Sequence, residues 1–304
     1  MENSEAIPPE KAFVSTRVFG DATVSVISLG VLEAAPVTAW FAVPEADLRR
    51  AIPEITNDGN THMGMNIVHV RIGAASVLFD AGWGDLEPES QYVREYGAVP
   101  TLGVGGGLAS LGIDCSAITH VLLSHTHLDH FRAVAVERNG RLERRFPIAR
   151  HLLGRSDWEG NPERSDPQSI TATHLGLIET QGQLDLFDGD HEVLPGITMI
   201  HTPGESPGHS IVRVQSAGKT LYYLGDLFHH PCEFEHLDWH SPWHDPQVMY
   251  ASRQRLIADA LETDATLVFT HSRFPAWGRV VQTAEGYRWQ YMEAHGGEMY
   301  PQLG

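Results

Sequence analysis

Cysteine is scarce in this chain. Two occur in 304 residues, Cys115 and Cys232, and neither lies in a CxxC pair. That argues against a disulfide framework or a zinc ribbon and fits a reducing cytoplasm, the compartment expected here. Basic residues are also few. Lys and Arg number 21 against 39 Asp and Glu, a formal net charge of −18, and no basic run reaches five residues. A surface of that sign repels phosphate backbones and anionic lipid, so neither nucleic acid nor membrane is expected as a partner. No apolar run reaches eighteen residues, so no spanning helix is expected. The first residues, Met1 to Lys11, are polar and acidic and lack the basic start and apolar core of a signal peptide.

What is present reads as one folded α/β unit. Apolar residues make up 42% and charged residues 20%, an ordinary globular balance. Residues 1–20 read as an N-terminal arm and 21–304 as a single domain. The β-branched stretch Ala22 to Ala34 predicts a strand, and Pro44 to Ile52 a short helix. Residues 53–64 read as loop. Asn66 to Ile72 and Ser76 to Asp80 predict a hairpin turning at Gly73 to Ala75, and Ile118 to Ser124 a buried strand. A second hairpin follows from Ser210 to Val214 and Thr220 to Leu224. A helix over Pro246 to Glu262 then leads to a buried strand from Ala265 to Thr270. The two halves share this element order, which suggests internal pseudo-symmetry.

The strongest chemical signal is Ser124-His125-Thr126-His127-Leu128-Asp129-His130, directly after a buried strand. Imidazole and carboxylate are the ligands of zinc and similar divalent ions. In extended chain, residues i and i+2 face one way, so His125 and His127 can grip one ion. Where the chain then turns, Asp129 and His130 point elsewhere and can grip a second. Unpaired polar groups are costly in a half-buried loop, which argues against four idle side chains.

This string resembles the H-x-H-x-D-H motif of the metallo-β-lactamase superfamily. Asp80 in LFDAG, His209 in TPGESPGHS, Asp226 in YLGD and His271 in VFTHS match that family's single-residue motifs, in the family's order. The resemblance covers roughly residues 20–290. It implies a four-layer αββα sandwich with two mixed sheets and the site at one edge. It implies that His125, His127 and His209 hold one ion, that Asp129, His130 and His271 hold the other, and that Asp226 bridges them. Asp80 would orient a ligand, or the loop carrying the string, from behind. Many relatives read TPGHTPGHS; Glu205 stands at the earlier histidine, which is not a family ligand, and it reads as a turn residue, with shaping the pocket floor or bonding a neighbouring backbone as the other reading. Two divalent ions are implied, with zinc expected, and a homodimer is a further expectation.

The implied activity is hydrolysis of an ester, lactone or related bond of a small molecule by a metal-bridging hydroxide, with Asp129 also accepting a proton or orienting the nucleophile. A phosphotriester or thioester hydrolase and a non-catalytic metal- or ligand-binding protein are the alternatives. The segment after Asp226 carries five histidines and several aromatics, and His229, Phe228, Trp239 and Trp243 are expected to line the substrate pocket. Acyl-homoserine lactonases of this superfamily often carry Tyr where His229 stands. Gly225 to His229, His271 to Val280 and Gly286 to Trp289 resemble the branch containing methyl parathion hydrolase.

Overall fold

The computed structural model describes residues 13–84, 86 and 90–292. The first sheet takes its strands from the N-terminal half. These are β1 (Val14–Phe19), β2 (Ala22–Pro36), β3 (Asn60–Ile72), β4 (Ala75–Phe79), β5 (Ala98–Pro100) and β6 (His120–Leu122). A separate small hairpin follows, β7 (Ala135–Arg138) and β8 (Arg141–Arg144), and then β9 (Arg150–Gly154) and β10 (Leu184–Phe187) return to the first sheet. The second sheet holds β11 (His191–Leu194), β12 (Ile197–His201), β13 (Ser210–Ser216), β14 (Lys219–Tyr223), β15 (Thr266–Val268), β16 (Trp277–Thr283) and β17 (Gly286–Tyr291). The first is ordered β1-β2-β3-β4-β6-β9-β10, with β5 on β2, and the second runs in sequence order. Both mix parallel and antiparallel pairs: β4–β6, β6–β9 and β9–β10 are parallel in the first sheet, and β14–β15 is the parallel pair of the second.

Strand periodicity explains the layering. On β3 and β4, Val68, Val70, Val77 and Phe79 face the second sheet, where they meet Ile211, Leu221 and Tyr223. The alternate residues Met65, Ile67 and Leu78 face outward and pack with Val104 and Leu108 of the helix Gly103–Ser110 and with Leu175 and Ile178 of the helix Ile170–Thr180. The helix Pro246–Glu262 covers the second sheet with Met249, Leu256, Ile257 and Ala260. Pro246 occupies its first turn, and the Asp245 side chain accepts from the Gln247 and Val248 amides, which fixes its start. The result is the expected αββα sandwich.

Two expectations change. Val14–Phe19 lies in the expected arm, but pairs along its whole length with β2; residues 1–12 fall outside the described chain. The loop expected over 53–64 is partly strand, because β3 begins at Asn60. His62 and Gly64 hide the alternation there, and β2 stays in register only through two bulges, between Ser28 and Gly30 and between Leu32 and Ala35. Among the described residues, no helix is long and apolar enough to cross a membrane.

Candidate metal centre

The string from Ser124 begins where β6 ends. His127 keeps extended backbone and Leu128–Phe131 turns into a single helical turn, with the His130 amide bonded to the His127 carbonyl at 3.0 Å. The chain therefore changes direction between the pair His125 and His127 and the pair Asp129 and His130. His125 and His130 are completely buried, whereas the side chains of His127 and Asp129 are 49% and 21% exposed. The cluster opens to solvent on that side.

Distant segments are brought to it by specific contacts. The Ser210 amide bonds the Ser124 carbonyl at 2.9 Å and draws His209 alongside. His271 is held by the start of β3: the Gly64 amide meets its carbonyl at 3.0 Å, and its Nδ1 donates to the Gly64 carbonyl at 3.0 Å. Asn66 adds side-chain bonds to the Thr270 and Ser272 carbonyls at 2.9 and 2.8 Å. A Cβ on residue 64 would lie 2.1 Å from the Ser272 oxygen, so this approach requires glycine. Gly225 has φ of +50°, and a Cβ there would lie 2.8 Å from His209 Nε2.

Asp226 stands at the centre. Its Oδ2 is 3.2 Å from His130 Nε2 and 3.6 Å from His125 Nε2, while its Oδ1 is 3.0 Å from His271 Nε2. Asp129 Oδ2 is 3.5 Å from His130 Nε2 and 3.6 Å from His271 Nε2. Ligand atoms converge in two adjoining groups: His125, His127, Asp226 and Glu205 in one, and Asp129, His130 and His271 in the other. His209 is beside the first group, its ring 5.4 Å from that of His125, and its Nε2 accepts the Asp226 amide proton at 3.1 Å.

Asp80 organises the floor. It follows β4 with φ of +55°, a left-handed conformation that Asp tolerates better than most residues. Its Oδ1 accepts the Ser124 amide at 2.7 Å. Its Oδ2 takes the Ser124 hydroxyl, His130 Nδ1–H and the Tyr223 hydroxyl, each at 2.8 Å. Burial, then the Asp80 charge, pushes the Tyr223 hydroxyl well above its usual range, so it keeps the proton it donates. Since the Ser124 hydroxyl proton goes to Asp80, Ser124 Oγ accepts from His125 Nδ1 at 2.9 Å. The Nδ1 protons of His125, His130 and His271 are thereby all committed, and their Nε2 lone pairs face one another across Asp226.

Those lone pairs decide whether a metal suits the place. The Nε2 atoms of His125, His130 and His271 and the Asp226 Oδ1 are buried without a hydrogen-bond partner in the protein. Leaving such groups unpaired costs about 1–3 kcal/mol each. Burial, then the neighbouring His130 and His127 imidazoles, holds His125 well below its usual range, in the neutral form that coordinates. Burial would raise Asp226, but the His130 and His271 imidazoles outweigh it and keep its carboxyl well below the usual range. The donor set fits divalent metal ions.

Residues 63–271 match the family model of the metallo-beta-lactamase superfamily. The chain belongs to that superfamily. Within it, the chain is 23% identical over 167 residues to the N-acyl homoserine lactonase AiiA of Bacillus thuringiensis subsp. kurstaki, a match spanning 53% of this chain and 58% of that relative. Among metallo-β-lactamase-fold structures it is similar to AidC, a dizinc quorum-quenching lactonase, with a TM-score of 0.74 at 21% identity, covering 93% of this chain and 98% of the other. It is also similar to a probable metal-dependent hydrolase from Staphylococcus aureus, with a TM-score of 0.76 at 20% identity, covering 92% and 100%.

The expected pocket lining changes against this metallo-β-lactamase frame. His229 stands at the centre, its Nε2 3.6 Å from both Asp226 Oδ2 and Glu205 Oε2. Phe228 points the other way, into the core between the sheets, where it stacks on Phe234 with centroids 4.2 Å apart. Trp239 is buried in a satellite cluster with Val37, Phe41 and Leu48. Trp243 is exposed and packs edge-on against His244. Successive residues alternate in direction, so a loop that touches the site with His229 must turn Phe228 away.

Sequence reasoning passed over several residues here. Glu205 lies in the expected turn, but it is buried. Burial would raise its carboxyl, but the imidazoles of His229, His127 and His244 hold it well below the usual range. Asp157 fixes the turn that carries Glu205 and His209, accepting from the Gly208 amide at 2.6 Å and the Ser206 hydroxyl at 2.7 Å. Arg253 and Glu233 pair in full burial beneath the His229 loop. A lone Asp or Arg on a helix gives no local sign of such a role; the Glu in the motif did, as a departure from the family's histidine.

Proposed function

We propose that this protein is a metal-dependent hydrolase with a dinuclear site, acting on an ester, lactone or related bond of a small molecule. The observation that carries the reading is Asp226, whose Oδ2 lies between His125 of the first group and His130 of the second while its Oδ1 meets His271. In this reading His125, His127 and His209 hold one zinc ion, Asp129, His130 and His271 hold the other, and Asp226 serves both. Bound there, the ions would supply Lewis acidity, acidifying water and polarising the scissile group.

The chain's own residues do the rest. The buried network behind the cluster, from Asp80 through Ser124 to His125 and His130, fixes ring orientation and keeps Nδ1 protonated. His127 and Asp129 border the open side, so substrate enters past them. The Asp129 carboxylate, partly exposed and acidic, is placed to accept a proton released at the site. Burial works against its ionisation, but the His130 imidazole outweighs this and holds the carboxyl below its usual range. His229 is placed to touch the substrate from the Glu205 side and takes the position where lactonases often carry Tyr.

The names of the relatives favour a lactone, and the open ligand geometry equally admits aryl esters, thioesters and phosphotriesters. A panel of these four classes, with and without chelator, tests the reading: turnover of at least one class, abolished by chelator and restored by zinc, is expected. Asp226→Asn should lower the bound metal from near two equivalents and abolish turnover. A mutant that keeps both ions and full activity would remove the bridging role. His229→Ala should alter substrate preference more than metal content.

A further inference from the structure

We propose that Glu205 is itself a ligand of the ion held by His125 and His127, locked in that role by His244. This rests on the dinuclear reading and adds to it a carboxylate that the family pattern does not supply. The Glu205 side chain is 1% exposed. Its Oε1 lies 3.2 Å from His127 Nδ1, and its carboxylate converges with His125, His127 and Asp226, every ligand atom within 4.8 Å of the others. Two ligands bound at about 2.0–2.1 Å to one ion stand about 3.0–3.4 Å apart. A charge-assisted hydrogen bond between imidazole and carboxylate would close to about 2.7–2.9 Å. The observed spacing fits two ligands of a shared cation.

His244 is not a further ligand, although it belongs to a second cluster with Glu205 and His229. Its Nδ1 accepts the Ser241 amide proton at 3.1 Å, so the ring proton must sit on Nε2. That Nε2 is turned to Glu205 Oε2. The contact is a close electrostatic one between the proton-bearing nitrogen and Oε2, without the alignment of a hydrogen bond, and it leaves Oε1 on the side of the first group. His229 Nε2, at 3.6 Å from Oε2, is too distant for a hydrogen bond and leaves that orientation undisturbed. Asp157, which bonds Ser206 and Gly208 on either side of Pro207, holds the backbone that delivers Glu205.

The chemical consequence is a harder first site. A second carboxylate raises both its negative charge and its coordination number, which shifts preference from zinc toward Mn2+ or Fe2+. Three measurements on the full chain test this. In crystals loaded with Mn2+ or Co2+, Glu205 Oε1 should lie about 2.0–2.3 Å from the ion beside His125 and His127; a separation above about 3 Å, with water between, overturns the proposal. In the Co2+-substituted protein, Glu205→Gln should strengthen the visible absorption as one ion loses a ligand, and an unchanged spectrum counts against the role. Competition with a chelator should show the first ion weakened at least about tenfold in Glu205→Gln and also in Glu205→Asp, which keeps the charge but withdraws the oxygen. Full affinity in the Asp variant would mean that charge alone mattered and would reject ligation. If wild-type protein holds fewer than two ions, the dinuclear reading fails; if it holds two with Glu205 remote from both, only this proposal fails.

Discussion

Asp80 shows how much one buried side chain can govern. Four donors from three segments, Ser124, His130 and Tyr223, end on its two oxygens. Asp80→Asn keeps the shape but replaces one acceptor oxygen with a donor, which must then face donors. Metal affinity is expected to fall about 10–100-fold, measured by competition with a chromophoric chelator. Unchanged affinity would mean that the ligands hold their orientation without it. Individual ligand types were legible in the sequence because His and Asp at the spacing 125, 127, 129 and 130 have few other uses after a buried strand. Glu205 showed only as a departure from the family's histidine, since a carboxylate in a Pro-Gly-rich turn looks the same whether it meets water or several imidazoles.

At the scale of elements, the loop after Asp226 depends on a buried ion pair. Arg253, inside the helix Pro246–Glu262, donates to the Leu227, Leu237 and Trp239 carbonyls at 2.8, 3.1 and 2.5 Å and pairs with Glu233. Glu233 in turn accepts the His229 and His230 amides at 2.5 and 2.8 Å. Arg253→Met would strand a buried carboxylate and three carbonyls, and is expected to cost about 3–5 kcal/mol in thermal or denaturant unfolding. Adding Glu233→Met should recover part of that loss; a double variant no more stable than the single one would show that the loop needs the charges themselves. The helix was plain from its periodicity. Its inward arginine was not, because long basic residues usually stay in water. The extension of β3 to Asn60 was likewise hidden, and it proved to be the segment that grips His271.

Across the whole molecule, acid should loosen the fold well before the carboxylates titrate. Burial pushes His69 and His151, on central strands of the first sheet, down to about 4. Between about pH 6.5 and 4 the unfolded chain binds protons that the folded chain refuses, so stability falls as pH drops through that window. His151→Leu should flatten this dependence, read as the difference between wild-type and variant unfolding midpoints at pH 7 and pH 4.5. Parallel curves would mean that His151 is protonated in the native state. Glu54 acts lower still: its bond to His230, opposed by burial, lowers it to about 2, so its contribution is present above about pH 4.5 and lost toward pH 2.

The sequence by itself determined the two hairpins, the buried strands before His125 and His271, the long helix, the order of the motifs and the candidate ligands of residues 125–130, because periodicity and local spacing are properties of neighbouring residues. Only the tertiary structure decided which lone pairs are left facing one another, that Phe228 and Trp239 turn into cores while His229 turns to the site, and that Glu205 lies among the imidazoles. Those outcomes depend on contacts across more than sixty residues, such as Asp226 to His130 and Gly64 to His271. Their energies come from burial and hydrogen-bond closure, which do not exist until the two sheets meet.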